Sequence, residues 1–226
     1  MRVILFGATG MIGQGVLREC LLDSRVSRVL AIGRAASGEE HEKLEDLVVA
    51  DLYDYSAVAT KLAGVDACFF CLGITSAGMS EAEYTRITLD LSLAAAAALL
   101  RANPGMRMNF ISGAGADSSE KGRTMWARVK GRAENALLAM PFEQVTIFRP
   151  GIIQPLHGIT SRTFSYRVLY SALAPLIPVV HALAPGQITT TERIGRAMIR
   201  VALAGSAKRV LLNADINAAA AALPAA

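Results

Sequence analysis

The chain is poor in the residues that staple, chelate or anchor. Three cysteines in 226 residues are too few for a disulfide scaffold. The three histidines, His41, His157 and His181, share no metal-type spacing with cysteines or carboxylates, so no metal site is expected. Aromatic residues make up 6% and are not interleaved with basic ones, which argues against nucleic acid as a partner. No apolar run reaches the ~20 residues that span a bilayer. The longest, Val168 to Pro185, is interrupted by Pro175, Pro178 and His181. At the start, MRVILFGATGMIG carries one arginine before a short apolar run that breaks at Gly7, unlike a secretory signal. The expectation is a soluble, cytoplasmic protein with reduced thiols.

Core material is plentiful. A hydrophobic fraction of 53% with a net charge of +4 excludes disorder, and the length suits one domain. The charge is uneven: residues 1–100 hold 8 basic and 13 acidic side chains, the remainder 15 and 6. Such a division fits an anionic ligand, a membrane surface or nucleic acid, or merely an uneven solvated surface.

Short runs rich in Val, Ile and Phe alternate with helical stretches. Strands are expected at Arg2–Gly7, Arg28–Gly33, Leu47–Ala50, Ala67–Cys71, Met108–Ser112 and Val145–Arg149. Helices are expected at Ile12–Leu22, Ser56–Leu62, Glu81–Ala102 and Arg123–Ala139. This rhythm predicts a parallel sheet with helices on both faces. After Arg149 it fails. A loop punctuated by Pro150, Gly151, Pro155 and Gly158 follows, then an apolar stretch, a helix at Thr191–Leu203, a strand at Arg209–Leu212 and an alanine-rich tail.

Gly7-Ala8-Thr9-Gly10-Met11-Ile12-Gly13 follows the first strand and opens a helix. In that setting Gly7 permits the sharp turn, Gly10 lets backbone approach a pyrophosphate, and Gly13 allows close helix–strand packing. Free N–H groups and the helix dipole then face the anion. No Gly-Lys-Ser/Thr follows, which disfavours a P-loop NTPase. The second strand ends at Ile32-Gly33-Arg34, with no acidic residue until Glu39. Arg34 would hold a 2′-phosphate, favouring NADP over NAD, or else simply face solvent. Asp51-Leu52 follows the third strand and would approach an adenine edge; Asp51 equally suits a turn or N-cap. Cys68-Phe69-Phe70-Cys71 has redox-pair spacing, but on a strand the two thiols point to opposite faces, and Cys68 belongs to the core.

Taken in order, GATGMIG, Asp51-Leu52, Cys71-Leu72-Gly73, Phe110-Ile111-Ser112, Lys130 and Arg149-Pro150-Gly151 resemble an atypical or extended short-chain dehydrogenase/reductase of the NAD-dependent epimerase/dehydratase type. The stretch ISGAGADSSEKGRTMWARVKGRAENAL, followed by FRPGII, is similar to the Tat-interacting-protein-like oxidoreductases. The likeness covers residues 1–155 most closely. It implies a doubly wound Rossmann sheet in a single NAD(P)-binding domain, 1–226, with residues 151–190 as a small substrate-side cap.

The resemblance also implies roles. Gly7, Thr9, Gly10, Met11, Ile12 and Gly13 would hold the pyrophosphate, and Arg34 would select NADP. Cys71, Leu72 and Gly73 would run past the riboses. Pro150, Gly151 and Ile153 would contact the nicotinamide amide. Ser112 matches the catalytic serine. Lys130 matches the lysine that binds the nicotinamide ribose and lowers the pKa of a tyrosine four residues earlier. That earlier position is Trp126 here. Indole does not titrate at useful pH and cannot relay a proton as a phenol does. Tyr84 substitutes only if the fold brings it close.

Two functions follow. One is an NADP-dependent oxidoreductase or epimerase-like enzyme acting on a small, acidic or phosphorylated substrate. The other is a non-catalytic dinucleotide-binding sensor. FSYRVLYSALAPLIPVV, with Arg162 and Arg167 at its start, would cover the substrate pocket; docking a second copy in a homodimer and lying on a membrane are the lesser alternatives.

Overall fold

A computed structural model describes residues 1–159 and 185–224. Seven parallel strands form the central sheet: β1 (Arg2–Phe6), β2 (Arg28–Gly33), β3 (Leu44–Val48), β4 (Ala67–Phe70), β5 (Arg107–Ile111), β6 (Gln144–Arg149) and β9 (Val210–Leu212). Their spatial order is β3-β2-β1-β4-β5-β6-β9. The order in which strands are added therefore reverses between β1 and β4, and a crevice opens there beyond the carboxyl ends of the strands.

Alternation along each strand feeds two cores. Ile4 and Phe6 of β1 face one layer, with α3 (Leu91–Ala102) and α4 (Met125–Leu138). Val3 and Leu5 face the other, with α1 (Met11–Leu22), α5 (Thr191–Ala204) and α6 (Asn213–Ala221). Both faces of the strands are thus apolar, as a parallel sheet between helices requires. Register places Phe6 beside Phe70 and Phe70 beside Phe110. Their ring centroids are 5.1 and 5.5 Å apart, a rigid aromatic row under the carboxyl end of the sheet.

Several expected elements shift. The third strand starts at Leu44 rather than Leu47, because β2 pairs with it from Val29↔Leu44 to Gly33↔Val48. It is an edge strand, so the half-buried Glu45 and Asp46 are tolerated and the apolar signal starts late. Ser56–Leu62 is a 3₁₀ turn. The long helix at 81–102 is instead α2 (Glu81–Thr85), a π-helical turn (Arg86–Asp90) and α3. The alanine-rich tail is the helix α6, its last apolar contacts made by Ala220 and Leu223. Past Arg149, β7 (Ile152–Gln154) pairs in parallel with β8 (Ile188–Thr190). These two strands lie within the expected cap, of which residues 160–184, with Arg162, Arg167 and His181, fall outside the described residues.

Candidate functional site

The crevice is built from its backbone outward. Gly7 has φ +81°, a conformation that favours glycine, and a Cβ there would lie 2.7 Å from the Leu72 nitrogen. The Gly10 N–H donates to the Gly7 carbonyl at 3.0 Å, closing the turn. A Cβ on Gly13 would lie 1.9 Å from the Gly7 oxygen, so only glycine lets α1 settle against the turn. Gly10 caps α1 with no side-chain hydrogen bond, and the first turn of the helix contains no acidic residue. Its leading N–H groups therefore remain available to an anion.

This turn forms one wall of a cleft of about 830 Å³, within the range that holds a nucleotide-sized ligand. Of the residues expected at the site, Gly7, Thr9, Gly10, Met11 and Ile12 line the cleft, with Arg34, Asp51, Leu52, Cys71, Leu72, Gly73, Ser112, Lys130, Gly151 and Ile153. Gly13 and Pro150 are buried behind it. Trp126 does not line it: the indole lies against the backbone of Gly113 and Gly115, at 3.9 and 3.5 Å from where their Cβ atoms would sit. Tyr84 on α2 is buried and likewise lies off the cleft.

At the end of the cleft beside β2, Arg34 is exposed and forms no ion pair among the described residues. Asp51 lines the cleft wall and accepts the Tyr53 N–H at 2.9 Å, which is the turn role. A carboxylate that sequence reasoning missed is Asp46. It comes from β3, beside Ala31 of β2, and accepts from the Ser37 N–H at 3.0 Å and the Ser37 hydroxyl at 2.8 Å. No acidic residue lies at the end of β2 itself; this one arrives through strand pairing. Ile87 and Leu91 also line the cleft. They come from the π-helical turn and the residue after it, and such turns recur where a helix must re-aim side chains.

At the opposite end, α4 holds Lys130. Its ammonium is buried, 3.4 Å from the Ile111 carbonyl and 5.2 Å from the centre of the Phe110 ring. Burial drives its pKa down to about 8, while the Glu134 carboxylate pulls it back up. Glu134 is wholly buried and held by Arg149, whose Nε lies 3.0 Å from both carboxylate oxygens. Ser112 lines the cleft, and its buried Oγ has no hydrogen-bond partner among the described residues, a hydroxyl without an internal assignment. The floor is fixed by another residue missed in the sequence. Asn213, the first residue of α6, accepts the Gly151 N–H at 3.0 Å and donates to the carbonyls of Gln187 and Ile152. The alanine-rich tail offered no signal for it beyond one asparagine.

Cys68 is buried in one core, and Cys71 faces the other side beside Met198. Burial raises both thiol pKa values, which leaves them protonated and unreactive. Away from the cleft, Glu19, His157 and Glu192 bring their ligand atoms within 4.8 Å of one another. They come from three separate segments, which chain spacing cannot reveal, and Glu19 already pairs with Arg18.

Strand order, switch-point crevice and glycine turn define a doubly wound, Rossmann-type dinucleotide-binding fold. The free N–H groups at α1 and the orphaned Ser112 hydroxyl fit such a ligand at its phosphates and at its reactive end. The chain belongs to the NAD(P)H-binding family, which matches it over residues 7–163. It is 30% identical over 209 residues to the fmp52 protein of Emericella nidulans, covering 89% of this chain and 87% of that one. It is also 30% identical over 153 residues to HTATIP2 of Rattus norvegicus, covering 67% and 62%. Among solved structures, the Gre2–NADPH complex of Candida albicans superposes with a TM-score of 0.71 at 14% identity, covering 94% of this chain and 77% of Gre2.

The fmp52 relatives are named mitochondrial, which overturns the cytoplasmic expectation. Reduced thiols and an apolar run that becomes β1 suit any reducing compartment and never singled out the cytoplasm.

Proposed function

We propose that the chain is an NADP-dependent oxidoreductase or epimerase-like enzyme acting on a small, acidic or phosphorylated compound. The observation that carries this reading is the pairing of an unassigned buried hydroxyl, Ser112, with the buried ammonium of Lys130 at one end of the dinucleotide cleft. Gly7 to Gly13 would hold the pyrophosphate, Cys71 to Gly73 the riboses, and Pro150, Gly151 and Ile153 the nicotinamide amide. A bound nicotinamide would supply or accept the hydride, while Ser112 and Lys130 orient and polarise the reacting oxygen. Arg34, unpaired by protein carboxylates, would bind the 2′-phosphate in bidentate fashion.

Fluorescence titration with NADPH and NADH tests the cofactor assignment. NADPH is expected to bind at least ~10-fold tighter, and Arg34→Ala should abolish that gap, as loss of a charge-assisted pair implies. Equal weakening of both cofactors would refute NADP selectivity. Trp126 favours a second reading, a dinucleotide sensor without turnover, because its indole lies off the cleft and does not titrate. NADPH binding without oxidation by any aldehyde, ketone or nucleotide sugar would decide for the sensor.

A further inference from the structure

The helix α4 carries Trp126, Lys130 and Glu134 one turn apart on a single stripe. Each has a different fate. The indole of Trp126 is laid on Gly113 and Gly115, outside the cleft. Glu134 is buried beneath and engaged by Arg149, which also donates to the Ser118 hydroxyl at 2.5 Å. Only Lys130 reaches the cleft. Gly73 borders it there, and a Cβ on that residue would stand 3.9 Å from Lys130 Nζ.

The ammonium is poorly served by its neighbours. Its one hydrogen bond among the described residues, to the Ile111 carbonyl, is long at 3.4 Å. Charged groups on the surrounding elements are committed elsewhere. Glu134 on α4 pairs with Arg149 of β6, while Arg128 and Arg132 turn outward to Glu81 on α2. Cys71, beyond β4, keeps its proton. Lys130 is therefore a cation with spare N–H bonds, lining the same cleft as Ser112, whose hydroxyl has no partner among the described residues.

We propose that Lys130 is itself the proton donor of the reaction, replacing the tyrosine that position 126 lacks, with Ser112 donating a hydrogen bond to the same substrate oxygen. This rests on the oxidoreductase reading above. Lys130 gives a proton from Nζ to a carbonyl oxygen as the carbonyl carbon accepts the hydride supplied by the reduced dinucleotide. The π pair of the C=O bond becomes the new O–H bond. The alcohol leaves, the dinucleotide is left oxidised, and Lys130, now a neutral amine, recovers its proton from water at the mouth of the cleft. Desolvation suits this role, because it brings the proton affinity of Lys130 close to working pH.

Three measurements test the proposal. Wild-type kcat/KM for NADPH-dependent aldehyde reduction should fall tenfold per pH unit above about pH 8. Lys130→Arg retains a cation that does not titrate in this range. It should keep NADPH binding within about tenfold, lose at least ~100-fold in turnover, the lower end of the range for one general acid, and show no limb near pH 8. Reductive methylation read by mass spectrometry, with and without NADPH, should give Lys130 itself a labelling midpoint near pH 8. Turnover with a flat profile from pH 7 to about 9.5, or a labelling midpoint near the ordinary lysine value of 10.5, overturns the proton-donor role alone. NADPH binding with no turnover on any carbonyl compound overturns the oxidoreductase reading and the donor role together.

Discussion

The two ends of the cleft are made of different things. The phosphate end is backbone: a glycine turn packed so closely that a Cβ on Gly13 or Gly7 would fall 1.9 or 2.7 Å from neighbouring backbone atoms. The other end is side chain: a hydroxyl, an ammonium and a floor held by one asparagine, brought together from β5, α4, β7 and α6. Substitution at the first end breaks structure before it touches chemistry. Substitution at the second removes chemistry and can leave the structure better off, since a desolvated cation opposes folding.

The sharpest contrast comes from Gly13→Ala and Lys130→Met. Gly13→Ala drives a Cβ into the Gly7 carbonyl group, whose atoms are backbone and cannot swing aside. It should cost about 3 kcal/mol or more of stability and reduce dinucleotide affinity at least ~100-fold, measured by urea unfolding and fluorescence titration. A stable, binding-competent variant would show that the turn has slack.

Lys130→Met should do the reverse. The folded pKa of about 8 lies below the ordinary 10.5, so between those values the unfolded chain holds more protons. Wild-type stability is then lowest below pH 8 and rises as pH climbs from 8 toward 10.5. Removing the ammonium should stabilise the protein at pH 7 by on the order of 2 kcal/mol, with the gain fading above pH 10. Unfolding midpoints across that range decide it; a variant destabilised at pH 7 would mean that the charge is well solvated.

The smallest effect is expected at Asn213. Replacing it with alanine leaves the Gly151 N–H and the Gln187 carbonyl without their partner. A loss of about 1–2 kcal/mol should follow, with dinucleotide affinity lowered only a few-fold, because the floor shifts while the phosphate turn stays. An affinity loss matching that of Gly13→Ala would erase the distinction between the two ends.

The same difference governs how much could be read without coordinates. The glycine turn is local, so residues 7–13 declare both its shape and its ligand. Strands buried on both faces announce themselves by composition, which is why β1, β2, β4, β5 and β6 fall within a residue or so of expectation. The edge strand β3 did not, because Glu45 and Asp46 obscure its start. Ser112 and Lys130 were legible through family likeness, but the placement of Trp126 off the cleft was not, since it depends on how the loop at Gly113 and Gly115 meets α4. Asp46 and Asn213 were invisible for a common reason: each reaches the site through a partner far away in the chain.

That distance has a kinetic consequence. Asn213 meets the Gly151 N–H across 62 residues of chain, and β9 joins β6 only after α5 has passed behind the sheet. The glycine turn closes over a handful of residues, a fast local event, whereas the floor waits for a long loop to find its end. During refolding the protein should therefore acquire its anion-binding half first and its reactive half last. The order is open to view: in pulsed hydrogen exchange, protection of the Gly151 N–H, which Asn213 accepts, should lag behind protection of the Gly10 N–H, which the Gly7 carbonyl accepts.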